Sequence, residues 1–134
     1  MTPQELLAQD DESYMLADQL AFFRNLLQAE RANSQDRITT LRADLAGLEK
    51  APDEVDAALT EQERQTILQS IDREGVSLRE IALAIAAVDD GTYGYCADTG
   101  EKIGLLRLLS YPRSLITVEA KQHRENRARH LRAA

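Results

Sequence analysis

Asp53 and Asp56 stand three residues apart just after Pro52, and their type and spacing are the first in this chain to suggest chemistry. On a helix, positions i and i+3 share a side, so both carboxylates would project together. Two acids placed in this way can hold a hard divalent cation such as Mg²⁺. They also have a plainer use, because Asp is a favoured N-cap and acids in a first helical turn offset the positive helix pole. The spacing alone favours the plainer use. Cys96 is the only cysteine. A thiol beside cations can have a lowered pKa and act as a redox sensor, but the chain offers no resolving thiol, and a buried, inert cysteine accounts for the same residue. His123 and His130 lie seven apart among arginines and read as surface side chains rather than metal ligands. No nucleophile, base and orienting acid are grouped together, so the chain is not expected to be an enzyme.

The elements that position these residues are helical. Low aromatic content, no tryptophan and abundant Ala, Leu, Glu, Gln and Arg argue for a mainly α protein. Residues 1–13 read as a loosely ordered arm, with Asp10, Asp11 and Ser13 available as caps. Residues 14–90 read as a long antiparallel coiled-coil hairpin. Leu20, Phe23 and Leu27 share one face, a polar stretch around Arg31 and Ser34 interrupts it, and Ile38, Leu41, Leu45 and Leu48 resume it. Pro52 disfavours helix at Ala51 and can start the next helix, which puts the hairpin tip near 49–58. The second arm carries Ile67, Ile71, Leu78, Ile81, Ile85 and Val88, with Glu74 breaking the seam. Arms of about 35 residues at 1.5 Å per residue would reach roughly 50 Å. Gly75 lies inside the second arm, consistent with simple tolerance, a local bend or a close contact. Asp89-Asp90-Gly91 ends that arm, and residues 91–134 form a small irregular unit followed by a final helix from Thr117.

Charge narrows the partners. The net charge is −7, but from Lys102 onward eight basic residues face two acids, so this tail is +6 and the remainder −13. An acidic chain is a poor unspecific binder of duplex DNA. The basic tail suits an acidic protein patch or an anionic nucleotide, and is equally a solvated helix. The longest apolar run, Ile81 to Val88, is far short of the roughly 20 residues that span a bilayer. With no secretory signal visible and no internal disulfide available, the expected location is cytoplasmic.

The segment Tyr93-Gly94-Tyr95-Cys96-Ala97-Asp98-Thr99-Gly100 resembles a zinc ribbon knuckle whose second cysteine has become threonine. Together with the hairpin, the tip sequence Asp53-Glu54-Val55-Asp56-Ala57-Ala58, and Ile103-Gly104, Arg107-Leu108 and Pro112, it resembles the DksA/TraR family of bacterial transcription regulators. Tyr14-Met15 and Phe22-Phe23-Arg24 add to the match, which covers nearly the whole chain. The resemblance implies a monomer that binds RNA polymerase at its secondary channel, reads no DNA itself, and brings the hairpin tip toward the polymerase active site. It further implies a stringent-response role at ribosomal RNA and amino-acid promoters, together with the alarmone ppGpp.

The resemblance assigns Asp53, Asp56 and Ala58 to the active tip, Arg73 to docking on the polymerase rim, and Arg107 and Lys121 to the ppGpp site. Two positions that are basic in the family are Glu80 and Tyr111 here, and Glu80 would repel a polyphosphate. The family's four zinc positions fall on Cys96, Thr99, Thr117 and Ala120. Threonine is a poor neutral ligand and alanine is none, so no zinc is expected. Thr99 and Thr117 are expected to pair through their hydroxyls while Cys96 and Ala120 fill apolar space, giving a regulator suited to zinc scarcity or oxidised thiols. Two rivals remain: a coiled-coil adaptor, for which the tip acids are dispensable, and a Gre-like transcript-cleavage factor, which would use them to hold Mg²⁺.

Overall fold

Helix-favouring composition and the apolar seams produce two long helices, α2 (Ala17–Glu49) and α3 (Ala57–Asp90), which pack together as a hairpin. The computed structural model describes residues 1–49 and 57–133. Shorter helices are α1 (Pro3–Ala8), α4 (Leu105–Ser110) and α5 (Val118–Ala133), with a 3-10 turn at Asp11–Ser13. Among the described residues there is no strand, and one isolated antiparallel bridge joins Tyr95 to Lys102. The tip residues Asp53 and Asp56 lie outside the described residues.

Two compact units result, one of Met1–Leu27 with Leu83–Ala134, the other of Gln28–Ala82. In the second, Ser34 and Ile38 of α2 are buried and Leu41, Leu45 and Leu48 are half-buried. The α3 side of the seam is Ile67, Ile71, Glu74, Leu78 and the buried Ile81. Gly75 has open space around it; an added Cβ would meet only the Arg79 guanidinium, at 3.8 Å. That ordinary contact removes any need for glycine by close approach.

The first unit is built on Leu6, Met15, Phe23, Leu27, Ala84, Ala87, Val88, Tyr93, Cys96, Leu108 and Ala120, all buried. Phe23 lies against Tyr93 with ring centroids 5.5 Å apart. The Tyr93 hydroxyl donates to the Pro112 carbonyl at 2.6 Å, so the ring is buried without an orphaned polar atom. Truncating Phe23 to alanine belongs to the class of core changes that cost about 3–5 kcal/mol. Arg24 and Asp89 form an ion pair between α2 and α3 within this unit.

The N-terminal arm is more ordered than its polar composition suggests. Thr2 caps α1, Pro3 opens it, and Glu5 completes a reciprocal capping box. Leu6 is completely buried and anchors the segment. Asp10 caps the 3-10 turn rather than α2. The buried Gln19 side chain then accepts from the Met15 N–H at 3.1 Å and donates to Gln9 at 2.9 Å. At the other end, α3 stops where Gly91 turns to φ +84° and the N–H groups of Thr92 and Tyr93 both donate to the Ala87 carbonyl.

Candidate functional site

The knuckle is held by Tyr14. Its hydroxyl donates to the Gly94 carbonyl at 2.6 Å and accepts from the Gly104 N–H at 2.9 Å, joining both sides of the loop. Burial raises the Tyr14 pKa, opposed by the Gly104 hydrogen bond. Lys102 lies 5.0 Å above the Tyr14 ring, and Tyr95 meets it edge-on at 5.7 Å. Gly94 is required here: φ is +92°, and a Cβ would fall 2.6 Å from Met15 Cγ. The Cys96 N–H donates to Glu101 and the Gly100 N–H to Cys96, closing the turn.

Cys96 is 3% exposed. Its Sγ accepts from the Thr117 N–H at 3.4 Å and lies 3.9 Å from Thr117 Oγ1. Burial pushes the thiol pKa up, but hydrogen bonds from the Thr99 hydroxyl and from the backbone N–H groups of Thr117, Thr99 and Asp98 outweigh it and bring it down to about 7. The two threonine hydroxyls therefore both turn to the sulfur instead of pairing with each other, because each oxygen already accepts a backbone N–H, Thr117 Oγ1 from Ala120 and Thr99 Oγ1 from Glu101. Thr117 Oγ1 also caps α5 by accepting from the Ala120 N–H at 3.1 Å. Ligands around a tetrahedral zinc with Zn–S of about 2.3 Å stand roughly 3.8 Å apart, so Cys96 and Thr117 keep a metal-site spacing. The donor set does not fit zinc: it is one thiol, two neutral hydroxyls and the methyl of Ala120. Among the described residues no group of His, Cys, Asp and Glu side chains could hold a metal ion.

What zinc would cross-link is joined by other means. The Ala97 N–H donates to the Leu115 carbonyl at 2.8 Å. Asp98 forms a two-pronged ion pair with Arg124 of α5, which lowers the Asp98 pKa. Neither Asp98 nor Arg124 was singled out by sequence reasoning, since an exposed charge pair 26 residues apart leaves no periodic signal.

Arg107 and Lys121 come together over one aromatic ring. The Arg107 guanidinium carbon is 5.5 Å and Lys121 Nζ 5.9 Å from the Tyr111 ring centroid, and Arg113, which sequence reasoning missed, is nearer at 4.9 Å. Arg107 Nε is buried with no hydrogen-bond partner. Three cations around one ring form a surface suited to a polyanion. Arg73, in the second unit, is exposed and donates to Ser70 at 2.9 Å. Ala58 is exposed in the first turn of α3.

No protein-family model matches the chain. It is 35% identical over 124 residues to the RNA polymerase-binding transcription factor DksA of Caulobacter vibrioides, covering 90% of this chain and 85% of the relative. The chain belongs to the DksA family. DksA of Escherichia coli is 32% identical, with 90% of this chain and 80% of that protein covered. The solved structure of transcription factor DksA2 from Pseudomonas aeruginosa superposes with a TM-score of 0.88 at 43% identity, over 96% of this chain and 100% of that one. The DksA fold is therefore kept in a chain whose knuckle is closed by hydrogen bonds around a single cysteine.

Proposed function

We propose that this chain regulates transcription by binding bacterial RNA polymerase in its secondary channel, and that it folds and acts without a structural zinc. The observation that carries this reading is similarity along nearly the entire chain to proteins named as RNA polymerase-binding transcription factors, combined with a knuckle whose donors cannot hold the metal. On this reading the hairpin enters the channel and Asp53 and Asp56 approach the active site, where they change the stability of promoter open complexes. Ala58 keeps the tip slim, and Arg73 docks on the channel rim. The cations around Tyr111, Arg107 and Lys121 among them, face a nucleotide polyphosphate such as ppGpp held between regulator and polymerase. Catalysis is not part of the role. The place of action is the cytoplasm, in keeping with the absence, among the described residues, of any helix long and apolar enough to cross a membrane.

The test is open-complex lifetime at a ribosomal RNA promoter, measured with protein passed through EDTA. Wild type is expected to shorten the lifetime, and Asp56→Asn to bind polymerase equally well with most of the effect lost. An effect that survives Asp56→Asn intact, or that needs added zinc, would refute the proposal.

A further inference from the structure

Within the Gln28–Ala82 unit the mainly aliphatic buried side chains of α2 and α3 give way at one level to a hydrogen-bonded polar cluster. Ser34 of α2 is completely buried there, and its hydroxyl donates to the Glu74 carboxylate at 2.5 Å. Arg37 grips the same carboxylate with Nε at 2.7 Å and a second nitrogen at 3.3 Å. Only 19% of the Glu74 side chain is exposed, whereas 58% of Arg37 is, so the acid is drawn into the seam and the base closes it from outside.

The seam of α2 changes phase at this level. Leu20, Leu27, Ser34, Leu41 and Leu48 recur every seven residues. Before Ser34 the companion position is three residues on, as Phe23 is to Leu20; after it the companion is four on, as Ile38 is to Ser34 and Leu45 to Leu41. Arg37 occupies the abandoned position and Ile38 takes over the burial. Such a junction is where a helical hairpin is least committed to one alignment.

We infer that the Ser34–Glu74–Arg37 cluster is a register lock, made of positioning residues that fix how far α3 is advanced along α2 and hence where the tip stands. The functional part of this inference rests on the proposed role of the tip. Toward the tip the half-buried residues include the aliphatic Leu41, Leu45 and Leu48 of α2 and Ile67 and Ile71 of α3, side chains that accept a one-turn shift with little change in chemistry. The polar level does not accept it. A shift of one turn, about 5 Å, would draw the Glu74 carboxylate away from Ser34 and leave that buried hydroxyl without its acceptor. A buried polar level in a mainly apolar seam is a known way of selecting a single register at some cost in stability.

The inference is tested by removing the lock without removing the fold. Spin labels at the exposed positions Asp44→Cys and Arg79→Cys, in a Cys96→Ser background, report the axial offset of the helices by dipolar distance. The unaltered cluster and Glu74→Gln, which keeps an acceptor for Ser34, should each give one narrow distance. Ser34→Ala with Glu74→Leu should melt no lower than wild type, yet show a second distance displaced by roughly 4 Å for a one-turn slip. With half of the molecules in the second register, its effect on open-complex lifetime should fall roughly twofold. A single unchanged distance in the apolar variant would overturn the register lock. A second distance with undiminished regulation would overturn its role in placing the tip. The distance measurement uses the protein alone, so it decides the register question whatever the polymerase assay returns.

Discussion

Replacing Thr117 by valine isolates what a single hydroxyl contributes to a knuckle without metal ligands. The two side chains are nearly the same size and both β-branched, so the change deletes one oxygen and opens almost no cavity. That oxygen accepts from the Ala120 N–H at 3.1 Å and stands 3.9 Å from Cys96 Sγ. Both neighbours are enclosed, Cys96 at 3% and Ala120 at 7% exposure, so water does not readily replace it. Losing a threonine N-cap costs about 1 kcal/mol, and leaving a buried donor unpaired costs about 1–3 kcal/mol. These overlap, since the capped amide is the orphaned donor, giving a net cost of about 2 kcal/mol. For a chain of this length that corresponds to a fall in melting temperature of roughly 6–10 °C. Thermal melts followed by circular dichroism at 222 nm, with and without EDTA, provide the assay, and Thr117→Ser, which keeps the hydroxyl, is the control. Valine melting within about 2 °C of wild type, or serine falling as far as valine, would refute the argument that this hydroxyl organises the knuckle.

Introducing Thr99→Cys, Thr117→Cys and Ala120→Cys together should create a site that binds one zinc per chain and makes melting sensitive to chelators, as measured by metal titration; failure to bind would mean that the four positions do not keep the spacing of a zinc site. The Cys96 thiol, brought from 9.0 to about 7 in the folded state, should make stability depend on pH. The fold favours the thiolate, so this contribution is complete above pH 9 and is lost as pH falls through about 7; the melting difference between pH 9 and pH 6 should shrink in Cys96→Ser. Gly94→Ala should destabilise by about 1–3 kcal/mol from backbone strain alone, with the Met15 contact adding to it, and calorimetry should show a lower melting temperature.

Much of this architecture is legible in the residue pattern because it is periodic. The seams announce two helices through Leu20, Phe23 and Leu27 on one and Ile67, Ile71 and Leu78 on the other, while Gly91 marks where the second ends. The residues Cys96, Thr99, Thr117 and Ala120 point to a knuckle without zinc, since side-chain chemistry alone excludes that ligand set. What they do not disclose is that both hydroxyls turn to one sulfur, which depends on how the chain folds back at Leu115. The α1 helix had a readable signal in Thr2, Pro3 and Glu5, masked by the acidic composition around it. The clamp by Tyr14 and the gathering of Arg107, Arg113 and Lys121 on Tyr111 are contacts between distant segments, where periodicity carries no information. Serine and glutamate in a helical seam look like interruptions until their hydrogen bond is seen.

The Tyr14 hydroxyl is bonded to residues 80 and 90 positions further along the chain, and the unit containing it is assembled from the first 27 residues and those after Leu83. At bacterial synthesis rates of roughly 5–20 residues per second, the ribosome needs of the order of 5–20 s to deliver Gly104 after Tyr14. For most of that interval Phe23 and Leu27 have been made and Tyr93 has not, and Leu108 follows only after Gly104, so the aromatic centre of this unit has no partner. The intervening hairpin is local in sequence and can form first. Birth order therefore makes the Gln28–Ala82 unit early and the unit clamped by Tyr14 late. A chain cut short before α4 would carry a formed helical hairpin and an unfinished hydrophobic core, a natural substrate for chaperones and proteases.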